Sequence, residues 1–313
     1  MKCLIIDVVH SAIAEELGKY MQVDTKMLPT QEELATLIPD YDVLIMRVDP
    51  AINKTILDAA KNLKVIGVCS VGLNHIDMEA AKAKGIQVFN APGLNANAVA
   101  ELTISKMLDL SRHTIPANAD VKVNKNWDKY KFVGRELRGK TLGILGFGRI
   151  GRRVGELGRA FGMTVVAYDP YLKPEDFEKE HAVGLDVKEV LKQADFVTIH
   201  MPLTPETKNL FNADSIAEMK DDAVVLNMAR GGIVNEQDMY EALKAGKIGG
   251  YASDVMENEL AAGGLTEGAG FDSPLFQCDN FIVTPHLGAQ TVDASRDIGA
   301  HIISKVKEAL NLG

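Results

Sequence analysis

Cysteine and tryptophan are both scarce in this sequence of 313 residues, which has three cysteines and one tryptophan. Cys3, Cys69 and Cys278 are odd in number and scattered, with no Cys-x-x-Cys pair, so the sequence predicts no disulfide framework. This usage is typical of a reducing compartment, and we expect a cytoplasmic protein. No group of histidine, cysteine and aspartate has the spacing of metal ligands, and we expect no metal.

The sequence also has fewer positive than negative charges and no long apolar run. Lysine and arginine total 34 against 43 aspartates and glutamates, a net charge of −9 that argues against a nucleic acid or an anionic membrane as partner. An anionic substrate would therefore need locally placed cations. No apolar run approaches the ~20 residues needed to span a membrane. The sequence opens directly on a strand pattern, so we expect no signal peptide.

The length exceeds the usual size of one hydrophobic core, so we expect two domains. Residues 1–94 alternate strand and helix patterns, including a strand over residues 23–27, which predicts a parallel sheet covered on both faces. Six strand-like runs follow Gly139 and predict a six-stranded doubly wound domain. A last helical pattern, residues 292–310, can return to the first domain. We predict one domain of residues 1–94 plus 291–313 and a second of residues 95–290.

A long helical pattern over residues 97–115 separates these two regions, and Pro116 is expected to end or kink it. The charged stretch that follows, residues 120–138, contains the single tryptophan, Trp127. It does not resemble core sequence. We predict a homodimer that is built on the long helix from Asn97 and on this stretch as a subunit-packing arm.

A glycine-rich turn organises the second region. An apolar strand ends in Gly146, Gly148 and Gly151, a helical pattern and a second strand follow, and Asp169 stands roughly 20 residues after the glycines. The first glycine permits the tight turn, the second a close approach to a pyrophosphate, and the third close packing of helix on sheet. The glycines alone are weak evidence, but strand, helix, second strand and acid agree. Asp169 would accept hydrogen bonds from ribose hydroxyls and repel a 2′-phosphate, which predicts NAD rather than NADP.

Three ionisable residues, Arg230, Glu259 and His286, each follow a predicted strand. Ligands bind beyond the carboxyl ends of strands in open α/β sheets. An arginine can bind a carboxylate with its planar fork, and a histidine beside a carboxylate can donate and recover a proton. Taken singly, each residue has an ordinary structural explanation: a solvated arginine, a loop acid, a packed histidine. Their shared position at one sheet edge favours a site that reduces a 2-oxoacid.

Separated motifs in the same order resemble the signatures of the D-isomer-specific 2-hydroxyacid dehydrogenase family. They are NMARGG from Asn227, Asp254 and Val255 with Glu259, TPHLG from Thr284, HMPLT from His200, and AVAEL from Ala98. The resemblance covers essentially the whole chain. It implies an α/β fold of two doubly wound parallel-sheet domains, a flavodoxin-like substrate domain and a Rossmann NAD domain.

The resemblance also implies roles for individual residues. Arg230 would orient the substrate, His286 would be the acid/base and Glu259 its hydrogen-bonded partner. The residues implied at the NAD site are Gly146, Gly148, Arg149, Ile150, Gly151, Asp169, His200, Met228, Ala229, Asp254 and Gly288. Those implied at the substrate are Arg47, Ser70, Val71 and Gly72, the last two through their N–H groups.

The favoured function is NAD-dependent reduction of a small 2-oxoacid, hydroxypyruvate or glyoxylate first. The alternatives are a D-3-phosphoglycerate dehydrogenase of the short type, without an appended regulatory domain, and an NAD-sensing protein similar to corepressors. Formate oxidation is disfavoured because the related subgroup pairs its histidine with glutamine. The sequence departs from the family at Leu260, where proline is common, and in the glycine-rich stretch of residues 261–272, which is either a surface insertion or a cover for the site.

Overall fold

A computed structural model of the chain describes residues 1–257, 259 and 272–313. These residues form two compact units, one of Met1–Asn95 with Ala289–Gly313 and one of Ala96–Gly288. Each unit is built on a parallel sheet, of five strands in the first and seven in the second. The predicted fold class of two doubly wound α/β domains is confirmed. Leu260 and all of the glycine-rich stretch except Asp272 lie outside the described residues.

The first unit has the strand order β2-β1-β3-β4-β5, in which neighbouring strands are parallel. Its strands are β1 (Lys2–Ile5), β2 (Gln22–Thr25), β3 (Val43–Met46), β4 (Val65–Val68) and β5 (Gln87–Phe89). Its helices are α1 (Ala12–Leu17), α2 (Gln31–Leu37), α3 (Lys54–Ala59), α4 (Met78–Ala83) and α12 (Val292–Ala309). A 3-10 turn covers Ile38–Asp40. The strand predicted over residues 23–27 is present as the edge strand β2.

The last helix packs on the sheet of this first unit. Ile298, Ile302 and Val306 of α12 are buried in one cluster with residues of β1, β3 and β4. A Cβ built on Gly67 of β4 would lie 2.7 Å from Ile302, so glycine lets the helix approach the strand closely. The central strands β3 and β4 are buried throughout, as expected for strands covered on both faces.

The second unit has the strand order β12-β11-β10-β9-β6-β7-β8. Its strands are β6 (Thr141–Leu145), β7 (Thr164–Tyr168), β8 (Val183–Gly184), β9 (Phe196–Ile199), β10 (Ala223–Asn227), β11 (Ile248–Ser253) and β12 (Phe281–Val283). Its helices are α5 (Ala96–Arg112), α6 (Thr114–Asn124), α7 (Arg149–Ala160), α8 (Pro174–Lys179), α9 (Val187–Gln193), α10 (Ala213–Ala217) and α11 (Glu236–Lys244), with 3-10 turns at Lys129–Phe132 and Pro274–Gln277. The prediction of six strands was wrong by one. The added strand, β8, has two exposed residues and is too short to show a hydrophobic pattern.

The long helix predicted over residues 97–115 is two helices. Helix α5 ends at Arg112, His113 has a left-handed backbone with φ of 54°, and α6 begins at Thr114. The expected action of Pro116 was therefore wrong, because this residue lies in the first turn of α6. N–H groups there have no partner within the helix, so proline is tolerated.

The strand order of the second unit reverses between β6 and β9, and the loops at the carboxyl ends of these strands form its ligand-binding edge. The loops after β10, β11 and β12 open at the same edge, since the strands are parallel. None of the helices in the described residues is long and apolar enough to span a bilayer. In the same part of the chain, no group of three or more acidic, histidine or cysteine side chains is arranged to hold a metal ion.

Candidate active site

The turn between β6 and α7 shows why two of its glycines are required. Gly146 has φ of 92°, and a Cβ there would lie 2.7 Å from the backbone of His200. A Cβ on Gly151 would collide with the carbonyl oxygen of Gly146, so this glycine lets α7 start against the turn. A Cβ on Gly148 would meet no atom of the described chain within 4 Å. The space above Gly148 fits the close approach of a dinucleotide.

The amino end of α7 fits an anion. Gly148 is its N-cap and provides no side-chain acceptor, while the helix continues for 12 residues from Arg149. The first N–H groups of a helix have no intrahelical partner and lie at the positive end of its dipole. Ile150 is partly buried against the core below the turn. A pyrophosphate would find backbone donors here without any lysine.

Asp169, at the end of β7, is bonded to the glycine-rich turn. One carboxylate oxygen accepts from the N–H of Phe147 at 2.9 Å, and the other accepts from the N–H of Tyr171 at 3.0 Å. Each oxygen keeps a lone pair that can accept from a ribose hydroxyl. Tyr171 is exposed and supplies no cation. The carboxylate is thus fixed beside the turn, where it would repel a 2′-phosphate.

His200 lies at the end of β9, next to Gly146. Its Nε2 is 2.8 Å from the hydroxyl of Thr198, and its Nδ1 is buried with no hydrogen-bond partner in the described structure. Burial lowers the pKa of His200 to about 3, because desolvation penalises the charged ring. The ring is neutral at ordinary pH, so His200 cannot serve as a proton donor there.

His286 and Glu259 are brought together at the edge formed by the loops after β11 and β12. The Nδ1 of His286 is 3.3 Å from a carboxylate oxygen of Glu259. About half of the His286 side chain is exposed, at 51%, against 27% for Glu259. With its Nδ1 proton directed at the carboxylate, the imidazole can exchange a proton through Nε2. His286 and Glu259, which the resemblance pairs as acid/base and partner, are therefore in contact.

Asp254 holds the turn that carries His286. Its buried carboxylate accepts from the hydroxyl of Thr284 at 2.6 Å and from the N–H groups of Leu287 and Gly288 at 2.7 Å each. Its carbonyl accepts from the N–H of His286 at 2.9 Å. His286 itself has a left-handed backbone, with φ of 54°. The family resemblance implies a place for Asp254 only beside the nicotinamide. In the structure, its carboxylate holds the turn that contains His286.

Arg230 follows β10 and is exposed. Its Nη1 donates to the carbonyl of the preceding residue, Ala229, at 2.7 Å. Asn227 braces the same turn, since its side chain donates to the carbonyl of Arg230 and accepts from the N–H of Ala229. Met228 and Ala229 are both buried. The loop that presents the guanidinium is thus fixed, while Arg230 makes no hydrogen bond or ion pair with Glu259 or His286 in the described residues.

Glu236 is a residue that sequence reasoning missed. This first residue of α11 accepts from the N–H of Glu257 at 2.7 Å and from the hydroxyl of Ser273 at 2.9 Å. Glu257 and Ser273 stand on the two sides of the chain segment that contains Glu259. A glutamate in the first turn of a helix is ordinary capping sequence, so no signal in the sequence indicated this second use.

In the first unit, the residues implied at the substrate lie in two adjoining loops. The hydroxyl of Ser70, after β4, contacts the carbonyl of Arg47, after β3, at 3.0 Å and that of Gly72 at 3.2 Å. Asn90 donates to the carbonyl of Val71 at 2.6 Å. The N–H groups of Val71 and Gly72 make no hydrogen bond within the described residues. They are therefore available to an anion.

Comparison with known proteins bears on this geometry. Residues 104–288 match the family model described as D-isomer specific 2-hydroxyacid dehydrogenase, NAD binding domain. The chain belongs to this family. The match falls within the unit that carries the glycine-rich turn, so the predicted NAD cofactor and family are confirmed.

Relatives in this dehydrogenase family have several names. A hydroxypyruvate reductase of Thermotoga maritima is 39% identical over 282 residues, covering 90% of this chain and 89% of the relative. A D-3-phosphoglycerate dehydrogenase of Methanocaldococcus jannaschii is 41% identical over 99% of this chain, which spans only 57% of that relative. The structure of D-lactate dehydrogenase from Aquifex aeolicus, complexed with NAD and lactic acid, aligns with a TM-score of 0.84 at 30% identity, covering 99% of this chain and 95% of the other.

Replacing Asp254 with asparagine tests its part in the histidine turn. The amide keeps one acceptor oxygen but directs an NH₂ group at a buried donor, which costs about 1–3 kcal/mol per unsatisfied group. We expect Asp254→Asn to lower the free energy of unfolding by that amount in urea titrations followed by circular dichroism. The control is Asp279→Asn at an exposed position. Equal stability of the two variants would contradict this prediction.

Proposed function

We propose that this protein is an NAD-dependent oxidoreductase that interconverts 2-oxoacids and D-2-hydroxyacids. The observation that carries the proposal is the contact of His286 with Glu259, held at the ligand-binding edge of an NAD-binding domain. We assign cofactor binding to the second unit. Arg47 and the loop of residues 70–72 in the first unit bind an anionic group of the substrate through the guanidinium and the unpartnered amides.

The chemistry follows from the donors present. Arg230 holds the substrate carboxylate and carbonyl, because its permanent charge and planar fork match two oxygens. The glycine-rich turn and Asp169 would hold NADH, which would supply the hydride for the carbonyl carbon. His286 gives its proton to the carbonyl oxygen and recovers one in the reverse direction. Glu259 keeps the imidazole oriented, because its carboxylate accepts from the Nδ1–H of His286.

We infer an unphosphorylated substrate, with hydroxypyruvate or glyoxylate first. The residues that follow β3 are Arg47, Val48 and Asp49. The acid Asp49 therefore stands close in sequence to Arg47, the cation that a phosphate would need. Asp49 is exposed, and its opposition to a phosphate dianion is of order 1 kcal/mol. The relative from Thermotoga maritima named hydroxypyruvate reductase is covered over nearly its whole length. A second candidate, oxidation of D-3-phosphoglycerate, is favoured by the identity to the Methanocaldococcus jannaschii dehydrogenase.

We also propose a homodimer. Three large apolar side chains after α6, Trp127, Tyr130 and Val133, are each at least three-quarters exposed. A neighbouring residue of α6, Val123, is equally exposed. Exposed apolar patches of this kind mark interaction sites. We propose that a second copy of the chain packs on this arm and buries these side chains.

Removal of the histidine tests the proton transfer. We expect His286→Ala to lower kcat for hydroxypyruvate reduction by about 10²–10⁴, the usual contribution of an acid–base group, without changing the Kd for NADH. His181→Ala is a matched control, because His181 is exposed and also has a left-handed backbone. Glu259→Gln should lower kcat less than His286→Ala, because the glutamine oxygen can still accept from Nδ1 but carries no charge. A kcat equal to that of the wild-type protein would remove Glu259 from this role.

The cofactor preference tests the role of Asp169. We expect the wild-type protein to use NADH faster than NADPH at equal concentration. The double variant Asp169→Ser with Tyr171→Arg should shift the kcat/KM ratio towards NADPH, because an acceptor and a negative charge are replaced by a cation. Tyr171→Arg alone is the control and should shift the ratio less. Faster turnover of NADPH by the wild-type protein would refute the assignment.

The substrate preference is tested by comparing kcat/KM for hydroxypyruvate and 3-phosphohydroxypyruvate. We expect the first to be higher, and Asp49→Asn to narrow the difference because it removes the opposing charge. If the phosphorylated substrate is preferred by about tenfold, roughly 1.4 kcal/mol of transition-state binding, the second candidate function replaces the first. If no 2-oxoacid is turned over, an NAD-sensing binding protein replaces both candidates.

Sedimentation velocity tests the dimer. We expect a dimer at micromolar concentration and partial dissociation of a Trp127→Ala, Tyr130→Ala variant, because these side chains would lose their buried area. A Tyr171→Ala variant, changed at an exposed aromatic residue outside the arm, should remain dimeric. A wild-type monomer would overturn the proposal.

A further inference from the structure

A buried acid that the proposed chemistry does not use stands two residues after β1. Asp7 is 7% exposed. One carboxylate oxygen accepts from the N–H of Val8 at 2.7 Å, and the other accepts from the N–H groups of Arg47 at 3.0 Å and Val48 at 2.9 Å. A single carboxylate therefore holds the start of the loop after β3.

These contacts lie at the point where the strand order of the first unit reverses. Strands β1 and β3 are neighbours, with β2 on one side and β4 on the other. In open α/β sheets such a point is the usual ligand-binding crevice. Asp7 joins the carboxyl ends of β1 and β3 there.

Arg47 is fixed on both sides of its Cα atom. Asp7 accepts from its N–H, and the Ser70 hydroxyl contacts its carbonyl together with that of Gly72. The guanidinium donates to the side-chain oxygen of Gln290 at 2.8 Å. This partner is neutral, so the contact orients the arginine without cancelling its charge.

We propose that Asp7 is a positioning residue for substrate binding, which acts through Arg47 and, by way of Ser70, through the loop of residues 70–72. The proposal rests on the proposed function, because it assigns those residues to an anionic group of the substrate. Only a carboxylate can accept from three N–H groups here without presenting a donor to one of them. An asparagine at this position must turn its NH₂ group towards an N–H.

The chain offers a matched control at the opposite edge of the same two strands. Asp42 precedes β3 and accepts from the N–H of Lys2 at 2.9 Å and from the ammonium of Lys64 at 2.8 Å. It joins β1 to the start of β3, as Asp7 joins β1 to its end. Loss of either carboxylate removes a tie between these strands, but only Asp7 touches the loop of Arg47.

The experiment compares Asp7→Asn with Asp42→Asn in steady-state reduction of hydroxypyruvate. We expect Asp7→Asn to raise KM by about tenfold or more, with the Kd for NADH unchanged, and Asp42→Asn to leave KM within about twofold. In an Arg47→Ala background the effect of Asp7→Asn on KM should shrink, because residues that act as a unit are not additive. An equal KM in the two single variants would overturn the proposal. So would full additivity with Arg47→Ala.

A second measurement separates this proposal from the proposed function. Amide hydrogen exchange at one or more of Val8, Arg47 and Val48 should be faster in Asp7→Asn than in Asp42→Asn, because the NH₂ group of the asparagine faces one of these donors. This holds whether or not any substrate is turned over. If the wild-type protein reduces no 2-oxoacid, the proposed function fails, while the exchange rates still report on the positioning contact. Unchanged exchange would refute the contact itself.

A second variant serves if Asp7→Asn fails to fold. Ser70→Ala removes the other hydrogen bond that holds Arg47 and should also raise KM for hydroxypyruvate. An unchanged KM in this variant would overturn the proposal.

Discussion

The carboxylate of Asp254 fixes the geometry on which the proposed chemistry depends. Three donors of the turn after β12 converge on it, and the N–H of His286 is bonded to its carbonyl. The turn contains His286 in a left-handed conformation, which is uncommon for a residue other than glycine. The distance between His286 and Glu259 follows from this constraint. A buried acid thus sets the position of an exposed histidine.

The first unit uses the same device. Parallel strands end with backbone N–H groups that no longer have a partner in the ladder, and a buried group of this kind is costly when unsatisfied. Asp7 after β1 and Asp254 after β11 each collect such groups from the loop of a neighbouring strand. Each thereby holds a loop that carries an ionisable residue, Arg47 in one unit and His286 in the other. Each of the two carboxylates accepts three hydrogen bonds, which tie these loops to the strand ends.

Much of this arrangement could be predicted from the sequence. Strands and helices with a sustained period, the glycines of the β6–α7 turn and the acid Asp169 carry local signals. The break between α5 and α6 has no local signal, because it depends on the backbone angle of His113 alone. The strand β8 has none either, because it consists of two exposed residues. Glu236 and Asp7 were missed for another reason. Their partners are 21 to 41 residues away in the chain, and nothing in the sequence indicates a hydrogen bond over such a separation.

Product analysis with a labelled cofactor tests whether the protein transfers a hydride from NADH to the carbonyl carbon of a 2-oxoacid. The protein is given hydroxypyruvate and NADH that carries deuterium at the transferable position of nicotinamide C4, and the glycerate formed is examined by mass spectrometry and chiral chromatography. The account predicts D-glycerate with one deuterium on carbon 2, because the hydride passes directly from the cofactor to the carbonyl carbon. L-Glycerate, or glycerate without deuterium, would contradict it.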